Sequence, residues 1–171
     1  MQFACRLNGG SDLDFIEFIA AHPDTIFWDY TKNPTRMMRY LSGLLPSNYH
    51  LTFSRGSSNW DECRQILKSG GNVAIVLVNP SESRVGSKVR IQNGDGYFMS
   101  EVISGDIDDN RFLDDDGHKT KHGKIIELTG KGVPINSDTS GFAIRSYSEL
   151  ESVSRPGCIS QDLTTAGRIE V

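Results

Sequence analysis

The fold of this chain is decided by an unbroken apolar run, Val73-Ala74-Ile75-Val76-Leu77-Val78. A run without polar alternation is typical of a central parallel strand that is covered on both faces. Segments rich in β-branched, aromatic or aliphatic residues precede it at intervals of roughly 23 residues, about one βα unit each. We predict strands there, at residues 3–7, 25–29 and 49–54.

Helical patterns fill the gaps between these strands. The first follows a cap at Ser11 or Asp12, and the second starts at Asn33-Pro34, a capping residue followed by proline. The third starts near Ser58-Asn59 and ends at Gly70-Gly71. Alternating strands and helices imply parallel pairing with right-handed crossovers. We therefore predict an α/β fold, either a partial (β/α) barrel or an open, mostly parallel sheet of repeated βα units.

The second half of the chain is richer in turns. We predict strands at 88–91 and 97–103, joined through Asn93-Gly94-Asp95-Gly96, and further strands at 124–128 and 141–145. Together these elements form one domain, 1–145, with βα repeats over 1–79 and an irregular β-containing part over 80–145. Residues 146–171 lack periodicity, and we predict an extended C-terminal arm.

Bulk properties restrict the partners. The net charge of −4 argues against a general nucleic-acid binder, since such proteins usually carry a basic footprint. No apolar run approaches the about 20 residues that a membrane span needs, so no membrane partner is expected. The three cysteines form no CxxC pair, and Cys5 and Cys63 are predicted to be buried free thiols. These features favour a reducing cytoplasm.

Polar residues cluster just after the predicted strands. Carboxyl ends of parallel strands converge with glycine turns and helix N-termini, an arrangement that suits an anion. Caps and tight turns explain each small polar residue singly, but they do not explain the cations. We define the strand-end rim as the set of residues predicted to form this site. Those predicted to bind a nucleotide or phosphorylated small molecule are Asn8, Ser11, Lys32, Ser54, Arg55 and Lys131. Those predicted for acid–base chemistry are Asp29 and Asp106.

The sequence contains none of the metal-binding and cofactor-binding motifs that we compared with it. The aspartates of residues 106–116 do not fit the register of an EF-hand loop. His118 and His122 are four apart but lack a helical stripe and the HExxH glutamate. GxGxxG after the first strand, GxxxxGK[ST] and GxSxG are all absent from the sequence. We therefore predict no metal and no cofactor, and we interpret His50 as a packed core residue.

Several short sequence motifs occur in order along the chain, between about residue 5 and residue 145. They are Arg6-Leu7-Asn8-Gly9-Gly10-Ser11-Asp12, Asp29-Tyr30-Thr31-Lys32, Asn48-Tyr49-His50-Leu51-Thr52-Phe53-Ser54, Gly71-Asn72-Val73-Ala74, Gly105-Asp106 and Gly130-Lys131-Gly132. With them the chain resembles a family of tailed-bacteriophage proteins of unassigned function. Some relatives carry an upstream cysteine-rich segment, which implies a larger barrel of the radical-SAM type. This chain lacks those cysteines, and we predict no iron–sulfur cluster.

Two functions compete. The first is a strand-end pocket for an anionic small molecule, with the reaction unassigned. The second is inhibition of a host defence protein through the acidic segment 106–116 and the C-terminal arm, since acidic clusters compete for basic grooves. Direct nucleic-acid binding ranks last because the basic residues are scattered along the sequence. The fold also bears on partners, because the exposed edges of an open sheet have to be covered. The second half of the chain, homodimerisation or a partner protein could cover them.

Overall fold

The computed structural model describes residues 3–114, 121–132, 135 and 137–151. The strands of this part are β1 Phe3–Arg6, β2 Thr25–Thr31, β3 Tyr49–Ser54, β4 Val73–Leu77, β5 Lys88–Asn93, β6 Gly96–Ser104, β7 Ile125–Thr129 and β8 Ala143–Ile144. Its helices are α1 Ile16–Ala20, α2 Pro34–Leu41, α3 Trp60–Lys68 and α4 Ser148–Glu151, and its 3₁₀ turns are η1 Pro80–Glu82 and η2 Arg111–Leu113.

The strands form one open sheet in the order β1-β2-β3-β4-β7-β6-β5, and β8 pairs with β4 outside this path. Every pairing is parallel except the β5–β6 hairpin. The prediction of an open, mostly parallel sheet is therefore confirmed, and the barrel alternative is wrong. The antiparallel hairpin at one end and β1 at the other leave the sheet unclosed.

The central strand β4 has neighbours on both sides, as its unbroken apolar run predicts. On one side it pairs with β7 along its whole length. On the other side Val73 and Ala74 pair with β3, whereas Val76 and Leu77 pair with β8. The strands β3 and β4 therefore diverge towards their carboxyl ends, and β8 occupies the gap between them.

The two faces of the sheet have different coverings. One face packs against α1, α2 and α3 around a buried core that includes Ile19, Met37, Phe53, Leu67 and Ile75. On the opposite face, η2 and the loop before it lie over β2 and β3. Because the helices bury only one face, the residues that alternate with the core positions in β2 and β3 meet this irregular segment.

The chain passes itself closely at Gly71 and Gly123. A Cβ atom on Gly123 would lie 1.9 Å from the carbonyl oxygen of Gly71. The Gly123 amide donates to the Leu67 carbonyl at 2.8 Å, which ties the approach to β7 to the end of α3. Glycine is required at position 123 because a side chain has no room there.

Helix starts agree with the sequence only in part. Asn33 caps α2 as predicted, since its side chain accepts from the Arg36 amide at 3.1 Å. The predicted cap of the first helix is wrong, because α1 starts at Ile16 after Phe15, which makes no side-chain cap. The loop that contains Ser11 and Asp12 instead turns towards the ends of β1 and β2.

The remaining local predictions have mixed outcomes. The β5–β6 hairpin turns at Gly94 with φ of +60°, as the Asn-Gly signal predicts. Cys63 is buried, and burial raises the pKa of its thiol to about 12. The prediction for Cys5 is wrong, because β1 is an end strand and leaves Cys5 exposed. His50 is half-buried, with its ring 6.2 Å from that of Phe112.

The start of the predicted C-terminal arm packs into the domain. Tyr147 and Leu150 are both buried in the core. The Tyr147 hydroxyl donates to Glu127 Oε2 at 2.5 Å, and Ser83 Oγ donates to the other oxygen of that carboxylate at 2.5 Å. Cys158 and the rest of the arm, residues 152–171, lie outside the described residues. Within the described residues, no helix is long and apolar enough to cross a membrane.

Candidate functional site

The carboxyl ends of β1, β2 and β3 enclose a cleft with a volume of about 360 Å³. We call it the strand-end cleft, and its lining residues are Gly10, Ser11, Asp12, Tyr30, Thr31, Lys32 and Ser54. Three residues of the predicted rim are among them: Ser11, Lys32 and Ser54. The structure thus brings together residues that are up to 43 positions apart in sequence.

Beneath the cleft, Asn8 shapes the loop that follows β1. Its backbone amide and its Nδ2 donate to the two oxygens of Asp29, at 2.7 and 3.0 Å. Its Oδ1 accepts from Ser11 Oγ at 2.7 Å and from the Leu13 amide at 3.0 Å. Asn8 is itself buried, so it positions Ser11 from below and does not reach the cleft.

Asp29, predicted as an acid–base residue, is completely buried. Besides the two bonds from Asn8, its carboxylate accepts a third from the Tyr49 hydroxyl at 3.2 Å. Burial, and next the charge of Asp29, raise the pKa of Tyr49, which keeps this hydroxyl protonated as a donor. All three bonds come from residues of the fold, and they tie Asp29 of β2 to the loop after β1 and to the first residue of β3.

Asp12 forms the floor of the cleft and ties β2 to α2. Its carboxylate accepts from Thr31 Oγ1 at 2.9 Å and from the Lys32 amide at 2.9 Å. The Arg36 guanidinium donates to the same carboxylate at 2.6 Å and to the Asp12 carbonyl at 3.2 Å. Because Arg36 is buried and lies this close, the charge of Asp12 is compensated inside the fold.

Arg55, predicted to neutralise a ligand, holds the segment before β8. Its Nη1 donates to the carbonyls of Gly141 and Phe142, at 2.9 and 2.8 Å. Burial lowers the pKa of this guanidinium from its ordinary value. The Phe142 ring in turn lies 5.2 Å from the Lys32 ammonium, a cation–π contact. Arg55 therefore acts on the cleft through Phe142, at the side where Lys32 projects.

Tyr30 stands at the opposite wall, on the sheet face that η2 covers. The Arg6 guanidinium lies 4.9 Å from its ring centroid. Burial raises the pKa of Tyr30 to about 12, so its hydroxyl is protonated at neutral pH. Within the described part of the chain this buried hydroxyl has no hydrogen-bond partner.

The remaining two rim residues lie elsewhere on the sheet. Asp106 follows β6 and Lys131 follows β7, and their charged groups are 3.6 Å apart. Although burial alone would raise it, hydrogen bonds from Thr129 and the charge of Lys131 lower the pKa of Asp106. The strands β4 and β8 separate this pair from the end of β3. The structure therefore divides the predicted rim into two groups.

The described aspartates of the acidic segment have partners within the chain. Asp109 pairs with Arg6 at 3.2 Å, and Asp114 pairs with the buried Arg111 at 3.0 Å. Burial raises the pKa of Asp114, against the opposing effect of Arg111. The carbonyl and carboxylate of Asp108 also meet Arg111. Asp115 and Asp116 lie outside the described residues.

A larger, shallow depression of about 530 Å³ runs along α1, and it is lined by residues 14–18 and Arg39. No strand end contributes to it, which distinguishes it from the strand-end cleft. No group of three potential metal ligands occurs among residues 3–114, 121–132, 135 and 137–151.

The sequence missed Arg36 and Tyr30 as residues of this site. The Asn33-Pro34 start places Arg36 in the first turn of α2, which faces the strand ends, and this was the available clue. The second strand was predicted to end at Asp29, whereas β2 continues to Thr31. A longer predicted strand would have included Tyr30. The pairing of Asp12 with Arg36 had no local signal, because 24 residues separate the two.

Comparison with known proteins gives a family and no activity. None of the curated proteins matches this chain, and no solved structure matches it. A family model described as gene product 88 matches residues 1–146, nearly all of the described chain. The description is of the style given to phage genes, in keeping with the resemblance drawn from the sequence. The chain belongs to the gene product 88 family.

Proposed function

We propose that the strand-end cleft binds a small anionic molecule, a nucleotide or another phosphorylated metabolite. One observation carries the proposal: the cleft holds the Lys32 ammonium, and the carboxylate that lines the same cleft already has a cationic partner within the fold. Asp12 is paired with Arg36 at 2.6 Å, and among the described residues no carboxylate pairs with the Lys32 ammonium. Among the lining residues, the Lys32 ammonium is therefore the charged group that is left to meet a ligand, although the whole chain is acidic.

The other lining groups suit such a ligand. Gly10 has nothing within 4 Å of where a Cβ would stand, so its backbone is open to close approach. The half-buried side chain of Ser54 adds a hydroxyl donor, and Tyr30 forms part of the lining. The volume of about 360 Å³ lies at the small end of the range for ligand sites, which favours a molecule no larger than a mononucleotide.

The proposal is for binding, without an assigned reaction. Asp29 is completely buried among structural donors, and Asp106 lies at another part of the sheet. A catalytic role for either residue stays a prediction. We propose the host cytoplasm as the compartment, where phosphorylated metabolites are abundant. The radical-SAM-type segment of relatives also stays a prediction from the resemblance.

Inhibition of a host protein through acidic contacts receives no support from the described aspartates of the segment 106–114. Their charges meet Arg6, Arg111 and Lys131 within the chain, which lowers their capacity to attract a basic partner. We therefore do not advance it as a second function.

Thermal unfolding with a panel of mononucleotides, sugar phosphates and inorganic phosphate tests the proposal. A ligand that binds only the folded state at 100 times its Kd adds about 2.7 kcal/mol of stability. We expect a saturable rise of the melting temperature that Lys32→Gln abolishes. Arg39→Gln is the matched control, because it removes one cation at the depression along α1 and should keep the rise. A panel without any rise, or a rise that survives in Lys32→Gln, would contradict the proposal.

A further inference from the structure

A second, distinct cationic surface lies at the far end of the sheet from the strand-end cleft. A groove of about 220 Å³ runs between β6 and the segment before β7, and we call it the hairpin groove. Its lining residues are Lys88, Met99, Glu101, Lys121, His122 and Lys124. A neighbouring cleft of about 290 Å³ shares Lys121 and His122 and adds Lys68 and Tyr97.

The charge of this surface differs from that of the chain as a whole. Lys68, Lys88, Lys121 and Lys124 come from three separate parts of the sequence, and the fold brings them to the two adjoining clefts. Among the described residues three acidic residues lie there: Glu101 stands opposite Lys88 in the β5–β6 ladder, Asp95 lies in the hairpin turn, and the Asp114 carbonyl accepts from the Lys124 ammonium at 3.3 Å. The net charge of the whole chain is −4, so positive charge is concentrated here.

An aromatic platform lies beside these lysines. Tyr97 is 59% exposed, and the Arg90 guanidinium lies 3.8 Å from the centre of its ring. In the hairpin register Arg90 stands opposite Met99, which lines the groove. Lys88 and Arg90 are two residues apart on one face of β5, a spacing of about 7 Å by strand geometry. The surface thus combines spaced cations with flat π-systems.

The walls of the groove are fixed before any ligand binds. The His122 ring lies 4.8 Å from that of Phe98, and its Nδ1 is 3.3 Å from the Lys68 carbonyl. Ser100 Oγ donates to the Gly123 carbonyl at 2.6 Å, which holds the segment before β7 against β6. Binding therefore requires little ordering of the backbone, which favours affinity.

We propose that the hairpin groove and the adjoining cleft bind single-stranded nucleic acid, with the lysines on phosphates and a base stacked on the Tyr97–Arg90 pair. Spaced cations beside exposed aromatic rings are the features that such strands use. An acidic peptide would use the lysines but has no need of the flat ring. A second copy of this chain is disfavoured, because the exposed Lys88 and Arg90 on the end strand β5 repel their own counterparts.

Fluorescence anisotropy with a labelled oligothymidine and an oligouridine of equal length tests the proposal. We expect binding that weakens with salt, and the double variant Lys88→Gln/Lys121→Gln should bind about tenfold more weakly, with a salt slope reduced by about 1.4. The control Arg39→Gln/Lys131→Gln removes two cations elsewhere and should bind like the unaltered protein. Lys32→Gln should also retain binding, which separates this site from the strand-end cleft.

Two further variants test the contribution of the aromatic ring to binding. Tyr97→Ala should weaken oligothymidine binding by about tenfold, whereas Tyr97→Phe keeps the ring and should bind normally. Equal affinity for poly-glutamate, together with unchanged oligonucleotide binding by Tyr97→Ala, would overturn the proposal in favour of an acidic protein partner. Absence of binding at low salt, or equal losses in both double variants, would also overturn it.

Discussion

The Arg36 guanidinium lies 2.6 Å from the Asp12 carboxylate, and this pair joins the loop after β1 to the first turn of α2. Arg36 is buried, whereas the Asp12 side chain is 33% exposed towards the strand-end cleft. A pair in this position stabilises the floor of the cleft while one of its members stays in contact with solvent.

Replacing Arg36 by methionine should therefore destabilise the fold by about 1–2 kcal/mol. The loss is smaller than for a fully buried pair because solvent reaches Asp12. Urea unfolding measures it, and Asp12→Asn/Arg36→Met should lose less than the sum of the single variants. Strict additivity would show that the two side chains do not interact. Arg39→Met, on the exposed side of α2, is the control and should change stability little.

Asp29→Asn should lower the free energy of unfolding by about 2 kcal/mol. The substitution replaces an acceptor oxygen with an amide, so at least one buried donor from Asn8 or Tyr49 loses its partner. Tyr49→Phe removes one donor and keeps the carboxylate, and it should cost about 1 kcal/mol. Chemical denaturation measures both. A fully stable Asp29→Asn protein would argue against the structural role of this carboxylate.

Gly123→Ala should destabilise the fold by about 2–4 kcal/mol or prevent folding. Its Cβ would stand 1.9 Å from the Gly71 carbonyl oxygen, so the two backbone segments would have to separate. Gly9→Ala is a matched control, because a Cβ at position 9 meets nothing within 4 Å. Thermal unfolding of the two variants should differ clearly, and equal melting temperatures would show that residues 71 and 123 are not in contact.

Stability should fall steeply as the pH rises above about 10. Tyr30 has its pKa raised to about 12 by burial, and burial also raises the pKa values of Tyr49 and Tyr147. The unfolded chain releases these protons near pH 10, while the folded chain retains them, so the unfolded state gains stability as pH rises from about 10 to about 12. Below pH 10 these groups are protonated in both states and add no pH dependence.

Tyr30→Phe should make that alkaline loss shallower. Its hydroxyl has no hydrogen-bond partner within the described part of the chain, so removing it should cost little at pH 7. Urea unfolding at pH 7 and at pH 11 compares the two effects. An unchanged slope in Tyr30→Phe would show that the phenol is not buried as described.

The local features of the fold could be predicted from the sequence because their causes lie within a few residues. The apolar run of β4, the Asn33-Pro34 start of α2 and the turn at Gly94 are of this kind. Three members of the strand-end cleft followed as well, since the carboxyl ends of neighbouring parallel strands must meet at one edge.

The tertiary structure alone decided which groups face each other. Arg55 meets the carbonyl of Phe142 across 87 positions, because β8 enters the gap between β3 and β4. Lys68, Lys88 and Lys121 gather at the hairpin groove and the cleft that adjoins it, although they are scattered along the sequence. Pairings at such separations depend on how whole elements pack and leave no local periodicity. The sequence by itself therefore determined the strands and helices and one edge of the sheet, and the packing determined the site.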